Sequence, residues 1–140
     1  MKIPEPHTGL VIRYEYLWHN ESLKGSESGR KGRPCAIIVI LHDSRVMVVP
    51  ITHTQPEDAA CAVEIPLTTK ARLGLDSERS WAICSEVNEF QWPGPDLQPA
   101  TGKDDTCAYG TLPQIIIDRI ASKIHFLARG RKLKVVARSE

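Results

Sequence analysis

The chain has 140 residues, 41% of them hydrophobic and 25% charged, with a formal net charge of +1. That is the balance of one ordinary folded domain, long enough to bury roughly two thirds of its unfolded surface. No apolar run approaches the ~20 residues of a bilayer span, and Pro4 and Pro6 stand where an export signal would be apolar, so a soluble cytoplasmic protein is expected.

Four cysteines, at 35, 61, 84 and 107, occur singly with no Cys-x-x-Cys pair, which argues against a zinc knuckle and for buried reduced thiols. Charge is segregated: residues 1–33 carry six basic and four acidic groups, 34–128 seven and twelve, and 129–140 five and one. Basic ends flanking an acidic middle would form a phosphate-attracting patch if they met in space.

Gly9 to Tyr16 alternates Leu10, Ile12, Tyr14 and Tyr16 with Val11, Arg13 and Glu15, the period of a first strand that Val11 blurs. From Leu17 to Gly32 the period is lost and Asn20, Ser22, Gly25, Ser26, Ser28 and Gly29 gather, a long loop of the kind that carries function. Two apolar runs, Cys35 to Leu41 and Val46 to Thr52, flank His42-Asp43-Ser44-Arg45 and predict a buried hairpin. Pro34 restricts the residue before it to extended geometry, which stands Arg33 as a cation at the mouth of the first hairpin strand. So short a turn returns Pro50-Ile51-Thr52-His53-Thr54 to the same end, where Arg33 and Thr52 should face each other. Residues 25–54 are therefore the expected core of the site.

Beyond the hairpin, Thr54 to Ala60 predicts a polar turn, Cys61 to Ile65 a short strand, and Pro66 to Leu75 one or two helical turns on the surface. Ser80 to Trp92 reads as two strands or one bulged strand, because its alternation changes phase at Ser85-Glu86. Pro93 to Asp105 has no pattern and is expected to cross the surface as a loop. Thr111-Leu112-Pro113-Gln114 has the form of a capping box and predicts a helix over 111–129. Its Leu112, Ile116, Ile120, Ile124 and Leu127 share one face that Ile115 and Ile117 broaden, until Gly130 ends it. Within the basic end, 130–140, Lys132 to Arg138 forms either a short strand or a tail.

Five or six short strands and one late helix make a mainly β fold with a C-terminal helix, a small barrel with the helix against it. On that frame, Gly9 before an apolar strand, Gly25-Ser26-Glu27, Gly32-Arg33-Pro34, the Ile and Val run and Val49-Pro50-Ile51-Thr52 together resemble the PemK/MazF family of bacterial toxins. These are the growth inhibitors of toxin–antitoxin pairs. The resemblance is strongest over 25–54, weaker to 92, and makes 93–111 look like an insertion.

It implies an SH3-like barrel, a homodimer, an antitoxin partner, and metal-independent cleavage of single-stranded RNA to 2′,3′-cyclic phosphate and 5′-hydroxyl ends, with no cofactor. In that chemistry Arg33 would neutralise charge building on the phosphoryl oxygens and Thr52 would donate a hydrogen bond to the same phosphate. Glu27 would orient Arg33 or assist proton transfer. Lys24, Arg30 and Lys31 would hold RNA, and His53 or His19 could act as acid or base. His53 follows Thr52 directly, so both can serve one site only if the strand has ended there. This chain also departs from the pattern: Asn88 and Gln91 stand where active members carry an arginine and an aspartate, and Glu86 and Glu89 would make that rim acidic. Without the chemistry, the same frame would be a noncatalytic SH3-like module binding RNA or a protein strand.

Overall fold

The computed structural model describes residues 1–25, 31–103 and 105–138. The central hairpin is β2 (Arg33–Ile40) and β3 (Arg45–Thr52), paired antiparallel from Cys35↔Pro50 to Ile40↔Val46 with a bulge at Ile38. Its turn closes through the Leu41 amide, which donates to the Arg45 carbonyl at 2.7 Å, and Ser44 takes the left-handed backbone (φ 68°) that so tight a reversal requires.

On one side β2 pairs with β1 (Leu10–Tyr14). On the other, β3 serves two neighbours. Its Ile51 and Thr52 pair with β5 (Ser80–Ile83), itself paired with β4 (Ala62–Ile65), while its Arg45 to Val48 pair with β6 (Glu86–Gln91). This splitting of one long strand between partners gives the mixed, barrel-like arrangement expected. The main path runs β4-β5-β3-β2-β1-β7, with β7 at Leu97–Gln98, and its ends do not pair, so the sheet is open rather than closed.

Both faces of the three central strands are buried, which is why Val11 breaks the simple alternation. Val11, Ala36, Ile38, Val49 and Ile51 face one core with Ile116, Ile117 and Ile120 of the C-terminal helix. Leu10, Ile12, Tyr14, Cys35, Ile37, Val46 and Val48 face the other, with Phe90 and Trp92. There Tyr14 and Phe90 stack with centroids 4.2 Å apart.

Several expectations are corrected. The described residues form nine strands, not five or six. Pro93 to Asp105 does not simply cross the surface: β7 and then β8 (Ala108–Thr111) pair with β1, and Leu97, Ala100 and Cys107 are buried, because β1 needs a partner on its outer edge. Within Leu17 to Gly32 there is a short helix, α1 (His19–Leu23), started by Glu21, which accepts from the Trp18 amide at 3.1 Å. The Pro66 to Leu75 segment contains the expected turns as α2 (Leu67–Arg72).

The late helix, α3, spans Gln114–Arg129, but the capping box does not form. Thr111 is held in β8, where its hydroxyl meets His7 Nε2 at 2.8 Å and its carbonyl accepts from Arg72, so Pro113 caps the helix instead. Of the two readings of Lys132 to Arg138, the strand is found: β9 (Lys134–Ala137) lies parallel to β6. Nor does the basic end simply trail in solvent, since Arg138 is buried, paired with Asp96 and hydrogen-bonded to Asn88 and the Tyr14 hydroxyl.

Candidate active site

The register Cys35↔Pro50, continued two residues, sets Arg33 opposite Thr52 at the open end of the hairpin. Directly opposed residues of an antiparallel pair project to the same face. Both line a cleft of about 520 Å³, together with Trp18, Lys31, His53 and Asp76. The Arg33 guanidinium lies over the Trp18 ring, 5.0 Å from its centroid, and its buried Nε has no hydrogen-bond partner among the described residues. A guanidinium steadied by an aromatic face, with donor capacity to spare, is suited to receive an anion.

β3 ends at Thr52, so His53 is released from strand alternation and enters the same cleft. The pairing Thr52↔Trp81 brings the segment before β5 alongside it. There His53 Nε2 lies 2.7 Å from Asp76 Oδ2, and Asp76 Oδ1 accepts from Lys70 Nζ at 2.5 Å. Lys70, although charged, is 2% exposed; it also donates to Ser80 Oγ at 2.6 Å and to the Glu78 carbonyl. Desolvation alone would raise the Asp76 carboxyl, but hydrogen bonds from Lys70, the Glu78 amide and His53 outweigh it and hold it below the usual carboxylate range.

Glu78 adds a second carboxylate, 3.6 Å from His53 Nδ1. His53, Asp76 and Glu78 thus present ligand atoms within 4.8 Å of one another, a geometry that could hold a cation, although the Lys70 ammonium already occupies one Asp76 oxygen. No spacing of these three residues along the chain announces the cluster.

The remaining candidates divide. Glu27 and Arg30 lie outside the described residues. Lys31 lines the cleft, whereas Lys24, exposed at the end of α1, does not. His19 also stays off the cleft lining; its amide donates to Glu86 at 2.9 Å. The acidic rim is half a rim: Glu89 pairs with Arg45 at 3.0 Å, at the opposite end of β3 and about 23 Å from Thr52 by strand rise. Glu86 is near the site but engaged, accepting from the Tyr16 hydroxyl, which burial and then the Glu86 charge keep protonated far above its ordinary range.

Asn88 and Gln91 are not rim residues either. Asn88 is fully buried, holding the Leu17 amide (2.9 Å) and carbonyl (2.7 Å), and Gln91 donates to the Asp43 carbonyl beside the hairpin turn. Cys35, Cys84 and Cys107 are buried as expected, and burial pushes the Cys84 thiol up to about 12; Cys61 is partly exposed, 3.7 Å from Asp58.

The fold is thus mainly antiparallel β with a C-terminal helix, in the PemK/MazF-like arrangement. Among solved structures similar to it is the Mycobacterium tuberculosis toxin MazF-mt6, with a TM-score of 0.56 at 20% identity, covering 86% of this chain and 96% of that one. No protein-family model and no curated protein sequence matches the chain.

Proposed function

We propose that this chain is the toxin of a toxin–antitoxin pair, acting in the cytoplasm as a metal-independent endoribonuclease on single-stranded RNA. The observation that carries this reading is the meeting of Arg33 and Thr52 in one cleft, on a fold shared with a protein whose name declares it a toxin. Attack by a ribose 2′-oxygen on the adjacent phosphate builds negative charge on the phosphoryl oxygens, which the Arg33 fork neutralises while Thr52 donates its hydroxyl hydrogen bond. The products are a 2′,3′-cyclic phosphate and a 5′-hydroxyl. Lys31 at the cleft, with Lys24 and Arg30 as further cations, draws the RNA backbone in. Glu27 serves in this reading to orient Arg33 or assist proton transfer. Between the two candidate histidines, acid–base work falls to His53, since His53 lines the cleft and His19 does not.

As a toxin of this kind, the chain forms a homodimer, and its antitoxin covers the cleft with an acidic segment that competes for the same cations. The test is incubation of the purified protein with mixed-sequence RNA in excess chelator, followed by analysis of the new ends. Cyclic phosphate and 5′-hydroxyl ends support the reading; RNA bound but intact would leave a noncatalytic RNA-binding module in its place.

A further inference from the structure

The cleft contains groups that the Arg33–Thr52 pair does not use. A lysine that is 2% exposed is costly to bury unless its three donors are satisfied, and here all three are, by Asp76 Oδ1, Ser80 Oγ and the Glu78 carbonyl. Lys70 therefore has no hydrogen left for a substrate, and it fixes the segment from Asp76 to Ser80 beside the end of β3. Asp76 is further held by the Glu78 amide, which donates to Oδ1 at 3.1 Å. Its free oxygen, Oδ2, meets His53 Nε2 at 2.7 Å.

An ionised carboxylate only accepts, so the neutral imidazole carries its proton on Nε2 and presents a lone pair at Nδ1. The side chain remains 49% exposed, open to the cleft that Arg33 and Thr52 share. The charged groups around it are Asp76 and Glu78 on one side of the balance and Lys31, Arg33 and Lys70 on the other.

We propose that Lys70 and Asp76 position His53 as the general base of the cleft, a deepening that rests on the RNA-cleavage reading above. His53 Nδ1 takes the proton of the ribose 2′-hydroxyl as the 2′-oxygen bonds to phosphorus. The bond from phosphorus to the 5′-oxygen breaks, and that oxygen takes a proton from water. The hydroxide so formed is neutralised by the proton the imidazolium returns, so the net change is one phosphodiester to one cyclic phosphate and one 5′-hydroxyl. Asp76, through Nε2, and Glu78, 3.6 Å from Nδ1, stabilise the imidazolium while it exists.

The experiment measures steady-state cleavage of one RNA in chelator by the wild-type chain, His53→Ala, and Asp76→Asn, with circular dichroism as the folding control. His53→Ala should lower kcat by roughly 100-fold or more with little change in KM, and added imidazole should restore part of it. Asp76→Asn should lower kcat by about 10-fold or more, again with KM held. Because that variant strips a counterion from a buried lysine and can unfold, a second readout is the ¹⁵N spectrum of His53 in the wild-type chain. It should show the Nε2–H form of the neutral ring. Full activity in His53→Ala, a KM effect alone, no response to imidazole, or an Nδ1–H ring would overturn the proposal while leaving the RNA-cleavage reading standing. A wild-type chain that cleaves no RNA would remove both, and one that needs a metal would assign His53, Asp76 and Glu78 to a cation instead.

Discussion

Chain-local rules bring Arg33 and Thr52 face to face: proline fixes the residue before it, and a short turn fixes which residues oppose. Thr52 tests the chemistry most cleanly, since valine preserves its β-branched shape and removes only the hydroxyl. That hydroxyl also accepts from the Thr54 amide at 3.2 Å, a weak and exposed bond. Thr52→Val should therefore cost about 1 kcal/mol of stability or less while reducing cleavage at least 10-fold, read by denaturant titration beside single-turnover kinetics.

Lys70 and Asp76 were not legible at all. They come from α2 and the turn after it, and only the Thr52↔Trp81 pairing carries them to His53. Asp76 has a measurable signature. Its carboxyl is depressed below its unfolded value of ~3.9, so its contribution to stability is present above that pH and is lost as pH falls through the lower folded value. The stability difference between the wild-type chain and Asp76→Asn should shrink as the pH falls from about 5 into stronger acid. A difference that instead grows below pH 4 would contradict the assignment of those hydrogen bonds.

At the level of elements, periodicity located the hairpin, β4, α2 and α3, and failed where an element's identity depends on a distant partner. Thr111 looks like a cap by its neighbours, yet pairing with Leu10 holds it extended and His7 takes its hydroxyl. β7 and β8 have too few apolar residues to announce themselves, and they exist because β1 offers an unpaired edge. Asn88, which the resemblance sets where active members carry another residue, makes two backbone bonds to Leu17 and so anchors the start of the α1 segment.

The seat of α3 depends on Gly9. Its φ of 90° is left-handed, and a Cβ there would fall 2.3 Å from Ile117 Cδ1, on the helix face that packs into the core. Gly9→Ala should destabilise the fold by about 1–3 kcal/mol through backbone strain and displacement of Ile117. Thermal unfolding followed by circular dichroism reads this as a lowered Tm.

Over the whole molecule, Arg138 joins the end of the chain to its beginning. From just past β9 it pairs with Asp96, donates to the Glu15 carbonyl at 2.8 Å and to Asn88 at 3.2 Å, and lies over the Tyr14 ring. Charge counting placed it in a basic end suited to attract phosphate, because composition does not register that one cation has acceptors waiting inside. Arg138→Ala leaves a half-buried carboxylate and a buried amide without their partner and should cost about 3 kcal/mol or more, whereas loss of an exposed cation such as Lys134 should cost almost nothing. The pair is compared by chemical denaturation.

Among the described residues the cations that reach solvent at the cleft are Lys31 and Arg33, and Arg33 is the one proposed to meet a scissile phosphate there. The direct measurement is single-turnover cleavage of one defined RNA in chelator by the wild-type chain, Arg33→Ala and Arg33→Lys, each verified as folded. The wild-type chain should yield cyclic-phosphate ends and both variants a rate reduced by about 100-fold or more, because a point charge does not reproduce a bidentate fork. Undiminished cleavage by Arg33→Ala would contradict that role for Arg33.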